Sequence, residues 1–501
     1  MWLAHAVGDE VSGTTYTREH RQRYREKVQL CLDVFERMLS TGAFESGRAL
    51  TGLEVELNLV GDDFRPTMKN AQVLDHIADA SYQTEIGAYN IELNVPPRPL
   101  PGSSALELEQ ILRRTLNAAA GKAGDLDAQI VMVGILPTVM PEHFAGAWMS
   151  PSARYSALND QIFTSRGEDL FIDILGSGSS PERLAVYSDT IAPESACTSV
   201  QLHLQVAPQA FAAHWNAAQV LVAPQVALAA NSPFFFGRRL WDETRIELFL
   251  QATDTRPMEL KNQGVRPRVF FGERWITSIF DLFEENVRYF PSLLPELTDE
   301  DPVAVLEQGR APRLQELRLH NGTVYRWNRP IYDVVDGRAH LRVENRVLPA
   351  GPTVVDIMAN AAFYYGCVKV LAEMERPVWS KLGFHTAEQN FLACARKGLD
   401  ATVYWPSLGE VTADELVLRR LLPVANDGLE AWGVAAPVRE RYLGVIEGRA
   451  KTGRNGAWWQ THAVERLQDK GMDRPTALAK MLEIYVDGMH SNEPVHTWEL
   501  P

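Results

Sequence analysis

Four separate segments of the chain share one pattern, in which aliphatic and polar residues alternate. In residues 53–59 every odd position is aliphatic, whereas the even positions hold Glu54, Glu56 and Asn58. Because successive side chains of a strand point to opposite faces, these polar side chains share one face and the aliphatic ones pack on the core. The pattern predicts an antiparallel sheet with a polar face.

The other three segments, residues 90–95, 200–206 and 340–347, repeat this alternation. Their polar rows contain Asn90, Glu92, Asn94, Gln201, His203, Gln205, His340, Arg342, Glu344 and Arg346. Any one of these strands is typical of a solvent-exposed strand. Taken together, however, the rows have hardly any of the Thr and Lys that such faces favour. We therefore expect the four strands to be neighbours that form a site.

Carboxylates crowded on one sheet face repel each other unless a cation lies between them. Oxygen-rich ligation with at most one imidazole favours a hard cation, Mg²⁺ with Mn²⁺ as an alternative, over structural zinc. Arg342 and Arg346 in the same row would face a polyanion such as the triphosphate of ATP, because guanidinium binds phosphate in a bidentate manner. A metal site and phosphate-binding arginines on the same face of a sheet together suggest phosphoryl transfer.

Composition excludes several classes of protein. With 49 basic and 64 acidic residues the net charge is −15, which argues against a nucleic acid or an anionic membrane as partner. No run of about 18 apolar residues predicts a membrane span. The four cysteines form no CxxC pair, and the first residues lack a signal-peptide core, so we expect a cytoplasmic protein. The sequence does not indicate an oligomeric state.

The chain of 501 residues divides into three predicted parts. Residues 1–47 form an N-terminal helical segment, residues 48–375 form an α+β catalytic domain built on an antiparallel sheet, and residues 376–501 form a helical C-terminal region. No strands are expected after Pro352. Predicted helices cover 17–39, 105–120, 211–230, 354–375, 387–399, 413–421, 437–447 and 474–486.

Motifs for other chemistries are missing from the sequence. It has no GxxxxGK[ST] loop, and Pro181 occupies the third glycine position of an apparent GxGxxG at residues 176–181. It also has no HExxH and no GxSxG. Two aromatic stretches, 325–330 and 453–460, are candidates to line or cover a site. For residues 325–330, packing on the core is an equally good interpretation. For residues 453–460, anchoring of a helix by the paired tryptophans is the better interpretation.

Short motifs at residues 51–56, 84–94, 230–233 and 340–353 resemble the glutamate–cysteine ligase family, carboxylate–amine ligases with the glutamine-synthetase-like fold. The resemblance runs from about residue 48 to residue 370. It implies an antiparallel sheet with a concave active-site face, surrounded by helices. It also implies ATP and two or three Mg²⁺ ions as cofactors.

The resemblance implies a role for individual residues. The implied metal ligands are Glu54, Glu56, Glu85, Glu92 and Glu344, with His203 as a further candidate. Arg346 would contact the transferring phosphate and, with Gln201, bind ATP; Glu344 and Arg346 are the candidate catalytic residues. Arg245, Asn231 and Arg342 are candidate substrate-binding residues, although Arg238 and Arg239 compete with Arg245 for that role.

The implied reaction joins the γ-carboxylate of glutamate to an amine, with cysteine first, through a γ-glutamyl phosphate. The alternation of residues does not identify the acceptor amine, so amines other than cysteine remain alternatives. Two alternatives remain. The sheet could belong to a phosphotransferase acting on a carboxylate or guanidino group, or to a non-catalytic binding protein; the clustered carboxylates argue against the second.

Overall fold

The computed structural model describes residues 16–46 and 49–501. Its centre is a curled, fully antiparallel sheet of seven strands in the order β12-β13-β7-β1-β3-β2, with β4 also paired to β1. These strands are β1 (Leu50–Val60), β2 (Tyr82–Thr84), β3 (Asn90–Pro99), β4 (Gln129–Val131), β7 (Ser199–Gln205), β12 (Asn328–Val335) and β13 (Arg338–Pro349). The four segments with alternating residues are therefore adjacent strands β13, β7, β1 and β3, as expected.

Four two-stranded pairs flank the sheet: β5 (Leu170–Leu175) with β6 (Arg183–Ser188), β8 (Phe234–Phe235) with β9 (Arg238–Arg239), β10 (Val269–Phe270) with β11 (Tyr325–Arg326), and β14 (Thr402–Trp405) with β15 (Gly409–Thr412). The last pair contradicts the expectation that strands end at Pro352. In β14 Val403 and Trp405 are buried while Thr402 and Tyr404 are exposed, so this short hairpin has the same two-residue period as the main strands.

The helices surround the sheet. They are α1 (Arg18–Thr41), α2 (Asn70–Ile77), α3 (Ser104–Gly124), α4 (Ala153–Arg166), α5 (Ala192–Ser195), α6 (Phe211–Ala229), α7 (Thr244–Ala252), α8 (Met258–Asn262), α9 (Ile279–Tyr289), α10 (Pro302–Glu307), α11 (Gln315–Gly322), α12 (Val354–Glu373), α13 (Phe384–Lys397), α14 (Ala413–Leu416), α15 (Leu422–Ala431), α16 (Ala436–Thr452), α17 (Gly456–Asp469) and α18 (Arg474–Ser491). Of the helices after Pro352, the sequence analysis missed α15 and α17. The stretch at residues 453–460 begins α17, with Trp459 buried in the core.

The aliphatic face of the sheet packs on two helices. In β1 the odd residues Leu53, Val55, Leu57 and Leu59 are at most 4% exposed, and α6 and α12 lie against the sheet and against each other. By length and composition α12 could span a membrane, but 83% of its most apolar window is buried inside the protein, as in a core helix. Helices α15 and α16 pack on α12 in turn.

The hairpin between β12 and β13 fixes the register of the site. Asp336 and Gly337 both have positive φ, 50° and 76°, the conformation that a two-residue Asp-Gly turn requires. Counting back from that turn, Arg329 lies directly opposite Glu344. The predicted N-terminal segment contains α1, while residues 1–15, 47 and 48 lie outside the described residues. The domain boundaries stay predictions.

Candidate active site

The polar face of the sheet lines a cavity of about 280 Å³. Most of the charged side chains at its wall are glutamates and arginines: Glu54, Glu56, Glu85, Glu92, Glu194, Glu344, Arg154, Arg245, Arg268, Arg318, Arg329, Arg342 and Arg346. These come from β1, β3, β12 and β13 and from the segments around them. Most of the polar row seen in the sequence thus lines this cavity, although Asn58, Asn94, Gln205 and His340 do not.

A first ligand group is formed by Glu54, His203 and Glu344, whose candidate ligand atoms lie within 4.8 Å of one another. His203 on β7 pairs with Glu344 on β13 across the ladder. Burial alone would raise the pKa of Glu344, but the guanidiniums of Arg329 and Arg346 outweigh it and hold this pKa well below its ordinary value. Glu344 is therefore ionised in the resting site.

The hydrogen bonds of His203 favour a positioning role. Its Nδ1 accepts from Nε of Arg342 at 3.1 Å, and its Nε2 lies 3.0 Å from Glu54. A neutral imidazole that accepts at Nδ1 carries its proton on Nε2, so Nε2 has no lone pair for a metal; it lies close to Glu54 but has no hydrogen-bond partner among the described residues. To act as the predicted ligand, His203 would have to lose the bond from Arg342.

A second ligand group is formed by Glu56, Glu85 and Glu92. Glu56 and Glu92 face each other across β1 and β3, and Glu85 follows β2. Burial and the carboxylate of Glu56 raise the pKa of Glu85 to about 8. Burial, followed by the charges of Glu54, Glu85 and Glu56, raises the pKa of Glu92 well above its ordinary value. This group has the crowded carboxylates that the sequence predicted.

Gln201 and Arg346 connect the two groups. The amide nitrogen of Gln201 donates to Glu56 at 2.8 Å, and its oxygen accepts from Arg346. Arg346 in turn donates to Glu344 at 2.6 Å and to the hydroxyl of Tyr325 at 2.8 Å. Both predicted ATP-binding residues line the cavity. The side-chain nitrogen and oxygen of Gln201 are both hydrogen-bonded to other residues of the protein.

The donor set fits a hard divalent cation. Five carboxylates with at most one imidazole, in two groups, suit Mg²⁺ or Mn²⁺ and do not suit thiolate-bound metals. The second group in particular holds three buried or half-buried carboxylates, and such a group costs free energy unless cations or protons neutralise it.

The predicted substrate-binding residues have different surroundings. Arg245 lines the cavity, but its Nε donates to Glu243 at 2.9 Å and its other nitrogens donate to the carbonyls of Arg346 and Val347. Arg238 and Arg239 are on the surface, paired with Glu182 and Glu465. Of the three arginines near residue 240, Arg245 is thus the one that lies at the site.

Asn231 is wholly buried and does not line the cavity. Its side-chain nitrogen donates to the carbonyl of Ala350 and to the hydroxyl of Tyr485, both at 2.8 Å, and its oxygen accepts from Gln460. These bonds connect the end of β13 to the C-terminal helices. The placement argues against substrate binding by Asn231 and favours a structural role.

We expect Asn231→Ala to lower the free energy of unfolding by about 3 kcal/mol, because it leaves several buried polar groups without partners. The KM for each substrate should stay near the wild-type value, as measured by steady-state kinetics beside chemical denaturation. Asn390→Ala is the matched control, since Asn390 bonds the backbone of Tyr404 away from the cavity. A large rise in KM with unchanged stability would contradict the structural role.

The sequence analysis named neither Arg329 nor Glu194 as a site residue, although Arg329 lies in the candidate stretch 325–330. Arg329 pairs with Glu344, its terminal nitrogen 2.9 Å from the carboxylate, and the Asp-Gly hairpin contained the signal for this contact. Glu194 lies in the four-residue helix α5, where no periodic pattern could indicate it. In the segment 325–330, Tyr325, Trp327 and Arg329 do line the cavity.

Comparisons with known proteins agree on the family and the fold. The sequence profile of glutamate-cysteine ligase family 2 matches residues 50–469. A crystal structure of glutamate–cysteine ligase from Francisella tularensis in complex with AMP is similar, with 13% identity, a TM-score of 0.52 and coverage of 92% of this chain and 97% of that one. A bifunctional glutathione synthetase from Pasteurella multocida is also similar, with 12% identity, a TM-score of 0.46 and coverage of 92% and 55%. No curated protein sequence matches the chain.

Proposed function

The chain belongs to glutamate-cysteine ligase family 2 and is a carboxylate–amine ligase, and we propose that it uses Mg-ATP to join the γ-carboxylate of glutamate to an amine, with cysteine the first candidate. The observation that carries the proposal is that the two ligand groups, which together hold five carboxylates, lie in one cavity and are connected by Gln201 and Arg346. The similar Francisella tularensis enzyme, a glutamate–cysteine ligase with bound AMP, supports both the nucleotide and the substrates.

The residues that would hold Mg²⁺ are Glu56, Glu85 and Glu92 in one group and Glu54 and Glu344 in the other. When bound, Mg²⁺ neutralises the phosphate oxygens of ATP during phosphoryl transfer. His203 fixes the carboxylate of Glu54 through the contact at Nε2, and Arg342 fixes His203 in turn. Such outer contacts orient the metal-binding carboxylates.

Arg346 is the residue best placed to stabilise the transferring phosphoryl group. It lines the cavity with its guanidinium held by Glu344 and Tyr325, so its orientation is set before any ligand binds. Preorganised charge of this kind lowers a barrier because no reorganisation is needed during reaction. Arg329, paired with the other oxygen of Glu344, holds that carboxylate in place.

The reaction needs ATP because a carboxylate is a poor acylating agent. We propose that the γ-carboxylate takes the γ-phosphoryl group of ATP to form γ-glutamyl phosphate, which the amine then attacks with release of phosphate. No residue of the protein has to form a covalent bond in this route; the chain supplies positioning and charge stabilisation.

A coupled assay of ADP release tests the proposal. With Mg-ATP and glutamate fixed and candidate amines varied, cysteine first, we expect ADP release that requires both the carboxylate and the amine and stops when EDTA removes the metal. ADP release that needs no amine would favour a phosphotransferase. No turnover with any amino-acid pair, together with no binding of Mg-ATP by calorimetry, would refute the proposal.

A further inference from the structure

The cavity contains a sixth glutamate, Glu194, that belongs to neither ligand group. It lies on α5, five residues before β7 begins, and its backbone is fixed at both ends: its N–H donates to the carbonyl of Ile191 and its carbonyl accepts from the N–H of Cys197, both at 2.9 Å. The side chain is only 9% exposed and lines the cavity. A buried carboxylate is thus held at the wall of the site by a rigid turn.

Among the described residues, the carboxylate of Glu194 has no ion-pair partner. Within residues 16–46 and 49–501, its Oε2 meets no hydrogen-bond donor and it forms no ion pair, in contrast to Glu344 with its two arginines. Burying a charged or polar group without a partner costs several kcal/mol. A positively charged or hydrogen-bond-donating group of a ligand would supply the missing partner.

The acceptor amine of the proposed ligation carries such a positively charged group. An amino-acid amine is an ammonium ion at neutral pH and cannot attack a carbonyl until it loses a proton. Resting on the proposed function, we propose that Glu194 is the catalytic residue that binds the acceptor's ammonium group and takes its proton before attack on the acyl phosphate.

The step balances as follows. One proton passes from the ammonium nitrogen to the Glu194 carboxylate; the freed amine forms the C–N bond while the C–O bond to phosphate breaks, and the second amine proton leaves on the departing phosphate. Burial, together with the charges of Glu85 and Glu56, raises the pKa of Glu194 to about 8, although Arg346 opposes this. A carboxylate in such surroundings is a better proton acceptor than an exposed one.

Hydroxylamine separates the deprotonation of the acceptor amine from the formation of the acyl phosphate. Hydroxylamine is largely unprotonated at neutral pH and traps an acyl phosphate as a hydroxamate without needing a proton acceptor for activation. In Glu194→Gln we expect the rate of amide formation with cysteine to fall about 100-fold or more, while glutamate hydroxamate forms within about threefold of the wild-type rate. Glu194→Asp should recover part of the amide rate, and the thermal midpoint checks folding.

Glu247→Gln is the matched control. Glu247 is a half-buried glutamate whose pKa is likewise raised by burial, but it bonds Gln251 on α7 and lies outside the cavity lining, so both products should form normally. Parallel loss of amide and hydroxamate in Glu194→Gln would overturn the inference in favour of a role in metal binding or phosphoryl transfer. Unchanged rates for both would overturn it as well. Wild-type protein that forms neither product from glutamate would instead refute the proposed function, and the inference with it.

Discussion

Glu344→Gln should abolish metal-dependent ADP release, with a loss of at least about 10³-fold in kcat/KM, corresponding to about 4 kcal/mol of transition-state stabilisation. Glu344 is 1% exposed, belongs to the first ligand group, and pairs with both Arg329 and Arg346. Glutamine keeps the shape of the side chain but removes the charge. The substitution therefore weakens the metal site and releases the two arginines at the same time.

Glu109→Gln separates this effect from loss of a buried ion pair. Glu109 is 5% exposed and accepts from two nitrogens of Arg441, at 3.0 and 2.8 Å, as well as from Tyr442. It lies outside the cavity lining. Both variants should unfold at lower denaturant concentration than the wild type, but Glu109→Gln should keep the wild-type kcat/KM.

Two measurements are needed to interpret the comparison, the ADP-release rate and the binding of Mg²⁺ by calorimetry. We expect Glu344→Gln to lose both and Glu109→Gln to lose neither. Activity in Glu344→Gln close to that of the wild type would mean that the catalytic site lies elsewhere in the cavity.

Period-two alternation was sufficient to predict the centre of the fold. It identified β1, β3, β7 and β13 with ends that differ from the observed ones by a few residues at most, and it predicted which face of each strand is polar. Alternation works here because one face of the sheet packs on α6 and α12, so a shift of one residue would bury the polar row against apolar helices. The adjacency of the four strands, in contrast, depends on chain connections that local pattern does not describe.

Residue alternation alone could not place several residues, because their positions depend on contacts between distant segments. Glu85 follows a three-residue strand, so its direction is set by the turn after β2. Glu194 lies on a single helical turn, where no period exists. Asn231 belongs to a conspicuous motif, yet its partners Tyr485 and Gln460 lie more than 200 residues away. Arg329 is different, since the Asp-Gly turn and its two-residue loop would have been enough to place it opposite Glu344.

In the absence of metal, the protein should lose thermal stability as the pH rises from about 5 to about 8, and Mg²⁺ should restore it. Burial and mutual repulsion raise the pKa of Glu85 to about 8 and that of Glu92 well above its ordinary value, whereas a glutamate in the unfolded chain has a pKa of about 4.3. Between these values the folded protein binds more protons than the unfolded chain, so the free energy of unfolding falls as pH increases. Each such group contributes up to about 1.4 kcal/mol per pH unit.

Glu92→Gln should reduce this pH dependence. The variant removes a carboxylate whose pKa burial and neighbouring charges raise well above its ordinary value, so without metal it should be more stable than the wild type at pH 8, with a smaller difference at pH 5. Its thermal midpoint should no longer rise on addition of Mg²⁺, and its ADP-release rate should fall by about 10³-fold or more, as expected for loss of a metal ligand. A substitution that stabilises the protein and abolishes its activity indicates a site selected for chemistry at the expense of stability.

Glu109→Gln again provides the control, and its expected effect on thermal stability has the opposite sign to that of Glu92→Gln. Although burial opposes ionisation of Glu109, Arg441 and Tyr442 lower its pKa below the ordinary value, so its charge stabilises the fold at neutral pH, and its loss should reduce the thermal midpoint with or without metal. Differential scanning fluorimetry in EDTA and in Mg²⁺, from pH 5 to pH 9, distinguishes the two carboxylates. If metal-free Glu92→Gln is less stable than the wild type at pH 8, the carboxylates of the second group are not mutually repulsive in the resting protein, and the argument that they need a cation fails.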